Sequence, residues 1–238
     1  MPQLIMDFKF DGKYVVMVGG GSEAYKKVLN FLDAGSKVLV VSRNFSAGFK
    51  ELEKAKKICL TRTEIKDGEA FVKELNPKPD LLAVATSDHQ LNASLAKRAK
   101  ASGFMVYVAD NPDISDFILP AVARIGDVRI AVSTEGKSPA MAKKLRQRIE
   151  ELITQEDLLQ IKLQERIRTI LKERVEDQKI RRKVLYKIME DDKVKMLLIS
   201  GKFHEAEKTA SKIMESIVRE EKIKNETLRR LENEFSNR

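Results

Sequence analysis

A hydrophobic run from Val15 to Val18 ends directly in three glycines, Gly19, Gly20 and Gly21, and then in SEAYKKVLNFLDAG, whose spacing is helical. Few folds accommodate that order, because a strand that leaves through a glycine turn into a helix opens a β-α-β unit. Gly19, Gly21 and Ala24 fit the pattern G-x-G-x-x-G/A in the context the dinucleotide fingerprint requires. Each position has a physical task. Gly19 permits the sharp turn out of the strand, Gly21 lets backbone approach a pyrophosphate without a Cβ, and Ala24 lets the helix sit close to the sheet. The helix N-terminus adds unpaired N–H groups and a partial positive charge. Gly19 to Ala24, with Gly20, Ser22 and Glu23 between them, is therefore the expected phosphate cradle. A glycine-rich turn without a ligand is the simpler alternative, and placement in a first β-α-β unit favours the nucleotide.

Five short apolar runs, KYVVMV, SKVLVVS, KICLTR, DLLAVAT and FMVYVA, read as strands rich in β-branched residues. Helical spacing separates several of them, at Glu23 to Ala34, Asp67 to Leu75 and Asp88 to Ser102, the last with Leu91, Leu95 and Ala99 on one face. Such alternation predicts parallel crossovers and a Rossmann-like, doubly wound α/β sheet over residues 1–112. The rhythm breaks at Phe117 to Thr134, where FILPAVARI, a Gly126-Asp127 turn and VRIAVST read as a hairpin within a segment 113–150. From Ser138 onward the chain reads as helical. Ser138-Pro139 is an N-cap followed by proline at the first helical position, and Leu145, Ile149, Leu152 and Leu159 recur at three- and four-residue steps. Gly201 interrupts the pattern before Phe203, Ala206, Ala210, Ile213 and Ile217 resume it. Residues 151–238 are expected to form an all-helical domain.

The net charge of +9 over 238 residues points to an anionic partner: nucleic acid, a membrane surface, or a small molecule with several carboxylates or phosphates. Nucleic acid is disfavoured, since aromatic residues are 6% of the chain, tryptophan is absent and basic residues alternate with acidic ones. No apolar stretch approaches the roughly 20 residues of a membrane span, and no signal-peptide pattern opens the chain, which reads as cytoplasmic. Cys59 is the only cysteine, so internal disulfides and clustered-cysteine metal sites are excluded. It reads as a buried strand residue. His89 and His204 are the two histidines, too far apart in sequence to propose a resident transition-metal site. His89 reads as a polar loop residue and His204 as an ordinary helix residue.

Dinucleotide folds usually place an acidic residue at the end of the second strand. Here that strand ends in Ser42, Arg43 and Asn44. Arg43 suits a 2′-phosphate and hence NADP, whereas Ser42 and Asn44 suit unphosphorylated ribose, so both cofactors stay open. Three further segments fall beyond the carboxyl ends of strands, where open α/β sheets bind ligands. They are ATSDHQLN, which contains Thr86 and Asp88 as cofactor-binding candidates, VADNPDISDF, and STEGKSPAMA.

Together VVMVGGGSEAYKKVLNFLDAGSKVLVVS, AVATSDHQLN and VADNPDISDFILPAVARIGDVRIAVSTEGKSPAMAKKLRQRIE resemble the precorrin-2 dehydrogenase module of siroheme synthesis, over Phe8 to about Glu150. The resemblance implies NAD-dependent oxidation of precorrin-2 to sirohydrochlorin. It also implies ferrous iron as a further substrate in those members that insert it, and a homodimer whose contact follows the nucleotide domain. A substrate with eight carboxylates would make the basic balance intelligible. The family's aspartate falls on Asp110, implied to accept a proton during dehydrogenation. Relatives carry asparagine three residues earlier, where this chain has Tyr107. Asp113 and Asp116 read as turn and backbone-bonding residues. Thr134, Lys137, Ser138 and Arg124 are implied carboxylate partners of the substrate. The competing expectation is a non-catalytic sensor of NAD(H) or tetrapyrrole that binds a partner protein through its helical tail.

Overall fold

The computed structural model describes residues 4–236, with side chains through Thr227. Its first compact unit runs up to Pro120 and includes Glu135–Lys137. Five parallel strands lie in the order β3-β2-β1-β4-β5: β1 (Tyr14–Val18), β2 (Lys37–Ser42), β3 (Ile58–Arg62), β4 (Leu81–Val84) and β5 (Met105–Val108). The connections are α1 (Ser22–Asp33), α2 (Ala47–Lys54), α3 (Gly68–Glu74) and α4 (His89–Ala101). Strand order reverses between β1 and β4, which creates the crevice where such sheets bind ligands.

Side chains alternate across each strand, so the sheet divides the core in two. Val15 and Met17 pack with Ala24, Val28 and Phe31 of α1, whereas Val16 and Val18 pack with Leu95, Ala96 and Ala99 of α4. β1 and β4 are buried on both faces, which explains their unbroken apolar sequences. Fully burying one such Val or Leu contributes about 1.5–3 kcal/mol, so these central strands dominate the stability of the unit.

The five expected strands are present, and the helices at Glu23, Asp67 and Asp88 start within a residue of expectation. Helix α2 was not legible in FSAGFKELEK, because Gly48 in its first turn reads as a breaker. A Cβ on Gly48 would meet the Tyr25 ring at 2.5 Å, so the glycine lets the ring of α1 pack closely on α2. Cys59 corrects an expectation. It lies in β3 but is exposed, because β3 is an edge strand whose alternate side chains have no covering layer.

The second compact unit comprises Ala121–Thr134 and the residues from Ser138 onward. The expected hairpin is β6 (Ala121–Ile125) paired antiparallel with β7 (Val128–Val132). Helix α5 (Pro139–Glu150) packs on it, capped by the Ser138 hydroxyl, which accepts from the Met141 N–H. Four more helices follow: α6 (Gln155–Arg174), α7 (Gln178–Glu190), α8 (Asp192–Ile199) and α9 (Phe203–Ser236). They share their own core around Leu163, Ile167, Leu171, Val184, Ile188, Leu198, Ala206 and Ala210. The stripe from Leu145 to Leu159 is not one helix. A reciprocal cap between Thr154 and Asp157 starts α6 anew and leaves Leu152 72% exposed at the break. Gly201, at φ +70°, ends α8, where its N–H bonds the Leu198 carbonyl and that of Lys202 bonds Leu197. Among the described residues no helix is long and apolar enough to cross a membrane.

Candidate functional site

The glycine turn closes between β1 and α1. Gly19 has φ +129°, and a Cβ there would press into the backbone of Ala85, just beyond β4. A Cβ on Gly20 would meet the Asn44 carbonyl and lie 2.9 Å from Ser42 Oγ. Both glycines are thus required by the fold itself, since they let the turn nest between the ends of β2 and β4. Gly21 differs. Its backbone is extended, at φ −82° and ψ −177°, and a Cβ would meet nothing within 4 Å. No contact inside the protein requires a glycine there. It caps α1 without a side-chain bond, so the first-turn N–H groups of α1 have no side-chain cap, which is the arrangement that receives a phosphate. The residues present fit a dinucleotide.

The other cofactor candidates are placed as follows. Ser22 begins α1 and Ala24 is fully buried against the sheet. Glu23 pairs with Lys26 at 2.6 Å, and that bond holds its carboxyl below the usual range. Ser42 closes β2. Arg43 pairs with Glu64 at 3.1 Å, both exposed. Asp88 caps α4, its Oδ1 accepting from the Leu91 N–H at 2.9 Å.

Beyond β4 and β5 lies a connected polar cluster. The Thr86 hydroxyl donates to Asn92 Oδ1 at 2.5 Å. Asn92 Nδ2 donates to the Thr86 carbonyl and to Asp110 Oδ1, both at 3.1 Å. The other carboxylate oxygen of Asp110 meets Nδ1 of His89. Asn92 is 1% exposed, whereas the His89 side chain is 80% exposed. Sequence reasoning placed Thr86 and Asp110 at the site and missed both Asn92, which connects them, and the contact of His89 with Asp110. The available signal was the three-residue step from His89 to Asn92 at the start of a helix, which puts both on one face.

Neighbouring acids serve the backbone. Asp116 Oδ2 accepts from the Val106 N–H at 2.8 Å while Oδ1 pairs with Lys100 at 2.9 Å. Asp113 lies in a short turn whose N–H bonds Asn111. Tyr107 faces the α1 side of the sheet, 6% exposed and stacked on Phe117 at 5.6 Å, and burial pushes its phenol up to about 12. It acts as a core residue.

Lys137 belongs to the first unit and pairs with Glu135 at 3.1 Å. Arg124, Thr134 and Ser138 belong to the second. Thr134 Oγ1 accepts from the Ser138 N–H at 3.0 Å, and Arg124 lies in β6 opposite Arg129. His204 is the second residue of α9.

A doubly wound sheet with a glycine turn at its order switch defines a Rossmann-type nucleotide-binding protein. The NAD(P)-binding family model matches residues 6–121, and the central-region model of sirohaem biosynthesis proteins matches residues 126–152. A precorrin-2 dehydrogenase from Methanosarcina barkeri is 30% identical over 77% of this chain and 81% of that one. A siroheme synthase from Methylococcus capsulatus is 32% identical over 87% of this chain, which spans only 42% of that longer protein. The solved structure of SirC, precorrin-2 dehydrogenase, superposes with a TM-score of 0.71 at 23% identity, covering 88% of this chain and 100% of that one, and so shares its fold. The chain belongs to the precorrin-2 dehydrogenase family.

Proposed function

We propose that this chain oxidises precorrin-2 to sirohydrochlorin with NAD, working in the cytoplasm as a homodimer. The observation that carries this reading is the adjacency, around Ala85, of a glycine turn with an open outer side and a carboxylate already held in place. Gly19 packs on Ala85, and the next residue, Thr86, begins the hydrogen-bonded chain to Asp110. The nicotinamide, when bound, supplies hydride acceptance. The chain supplies the rest. Gly19 to Ala24 hold the pyrophosphate at the N-terminus of α1, Ser42 and Arg43 border the ribose, and Thr86 and Asp88 line the approach from β4. Asp110 is the carboxylate that the centre needs for a proton to leave the macrocycle along with the hydride. Arg124, Lys137, Thr134 and Ser138 meet substrate carboxylates.

The homodimer is supported by the second unit. In the hairpin only Ala123 is fully buried, and Val122 of β6 and Met141 of α5 are 38% and 45% exposed. Residues 113–150 are accordingly the proposed dimerisation segment.

The test is anaerobic incubation with precorrin-2 and NAD, following the sirohydrochlorin spectrum and reduced cofactor together. The expected result is stoichiometric formation of both. Asp110→Asn should slow turnover about 10²–10⁴-fold with NAD affinity retained, whereas Asp113→Asn stays near wild type. A wild type that binds NAD and never oxidises precorrin-2 favours the sensor reading.

A further inference from the structure

The imidazole of His89 reaches Asp110 Oδ2 through Nδ1, from the first position of α4. An ionised carboxylate offers only acceptor sites, so the proton in that bond belongs to Nδ1. In the neutral ring the free lone pair then sits on Nε2, on the edge turned away from Asp110. Asp110 is held on both oxygens, Oδ1 by Asn92 and Oδ2 by the imidazole. Asn92 is itself immobilised, buried and bonded to both the hydroxyl and the carbonyl of Thr86. The cluster therefore runs in one direction: Thr86 orients Asn92, Asn92 orients Asp110, and Asp110 orients His89. It ends on the most exposed member of the cluster, the His89 ring.

Resting on the oxidation proposed above, we infer that Nε2 of His89 is the atom that takes the proton from the macrocycle. Asp110 fixes the tautomer and balances the imidazolium that forms, as a buried carboxylate does for a catalytic histidine elsewhere. One macrocycle C–H bond gives its hydride to the nicotinamide. A second X–H bond breaks, leaving its electron pair in the macrocycle as new conjugation, and its proton bonds to Nε2. The imidazolium then returns that proton to water, to which its 80% exposed side chain gives direct access.

Two measurements test this on the full chain. With only two histidines, nitrogen-15 NMR resolves each ring, and His89→Gln assigns the signals. The expected spectrum shows His89 as the Nδ1–H tautomer in wild type and as Nε2–H in Asp110→Ala. In turnover, His89→Gln should lose about 10²–10⁴-fold with NAD affinity unchanged, and His89→Ala should regain rate in proportion to added imidazole. A wild-type Nε2–H tautomer, a His89→Gln enzyme within a few-fold of wild type, or a loss that imidazole does not restore overturns the inference. An inactive wild type removes the reaction itself, and an active one with active His89→Gln removes only the role of His89.

Discussion

Asn92 bridges Thr86 and Asp110, donating one amide nitrogen to the Thr86 carbonyl and to Asp110 Oδ1 at 3.1 Å each from a position 1% exposed. Its removal would leave the Thr86 carbonyl and one Asp110 oxygen without that partner, while the Thr86 hydroxyl keeps its bonds to the Asp88 backbone. Leaving buried polar groups unpaired costs about 1–3 kcal/mol, so Asn92→Ala should lower unfolding stability by that amount in urea titration. Turnover should fall as well, because Asp110 loses its orientation. A stable variant with wild-type turnover would show that the bridge is incidental.

The three glycines should separate cleanly. Gly19→Ala and Gly20→Ala force a Cβ into the backbone of Ala85 or Asn44, so both should lower the melting temperature. Gly21→Val meets no protein atom within 4 Å of its Cβ and should fold normally, yet lose dinucleotide binding in calorimetry. Unchanged NAD affinity in Gly21→Val would remove this turn from the cofactor site.

Glu64 pairs with Arg43, the proposed neighbour of the cofactor ribose. If Arg43 borders the ribose as proposed, this exposed pair competes with a 2′-phosphate for the guanidinium. Exposed pairs of this kind are worth up to about 1 kcal/mol, and about 1.4 kcal/mol corresponds to tenfold, so Glu64→Gln should improve NADP binding relative to NAD by less than about tenfold. An unchanged ratio would place Arg43 outside the ribose site.

The hairpin carries the dimer prediction. Val122→Glu and Met141→Glu each put a charge onto apolar surface of the proposed contact. Light scattering should report a dimer for wild type and a shift to monomer for the double variant. A wild type that is monomeric at every concentration would refute the assembly.

Tyr107 gives an alkaline signature. Burial raises its phenol from about 10 to about 12, with the Glu23 charge adding to the effect. The fold thus favours the protonated phenol. That contribution is complete below the unfolded value near 10 and is lost as pH rises toward 12. Urea titrations at about pH 9 and about pH 11 should show wild type losing more stability over that interval than Tyr107→Phe does, by at most about 2 kcal/mol. Equal losses would mean that the phenol titrates freely.

Local pattern by itself determined the layered fold, because all five strands of the sheet and most of its helices carried their own signal. β1 and β4 are apolar throughout since both faces are covered, Ser138-Pro139 fixes where α5 begins, and G-x-G-x-x-A follows a strand as the fingerprint requires. Asp110 was legible only through family resemblance, because one aspartate after a strand has no periodicity to mark it. What tertiary structure decided is long-range contact. It pairs Asp110 with His89, 21 positions away, buries Asn92 between Thr86 and Asp110, and sets Glu64 on Arg43. It also exposes Cys59, because only the strand order reveals that β3 is an edge, and it gives Gly48 a use, because only packing brings the Tyr25 ring there. Spacing along a chain records which face a residue takes, whereas the partner on that face is set by how the crossovers bring distant strand ends together.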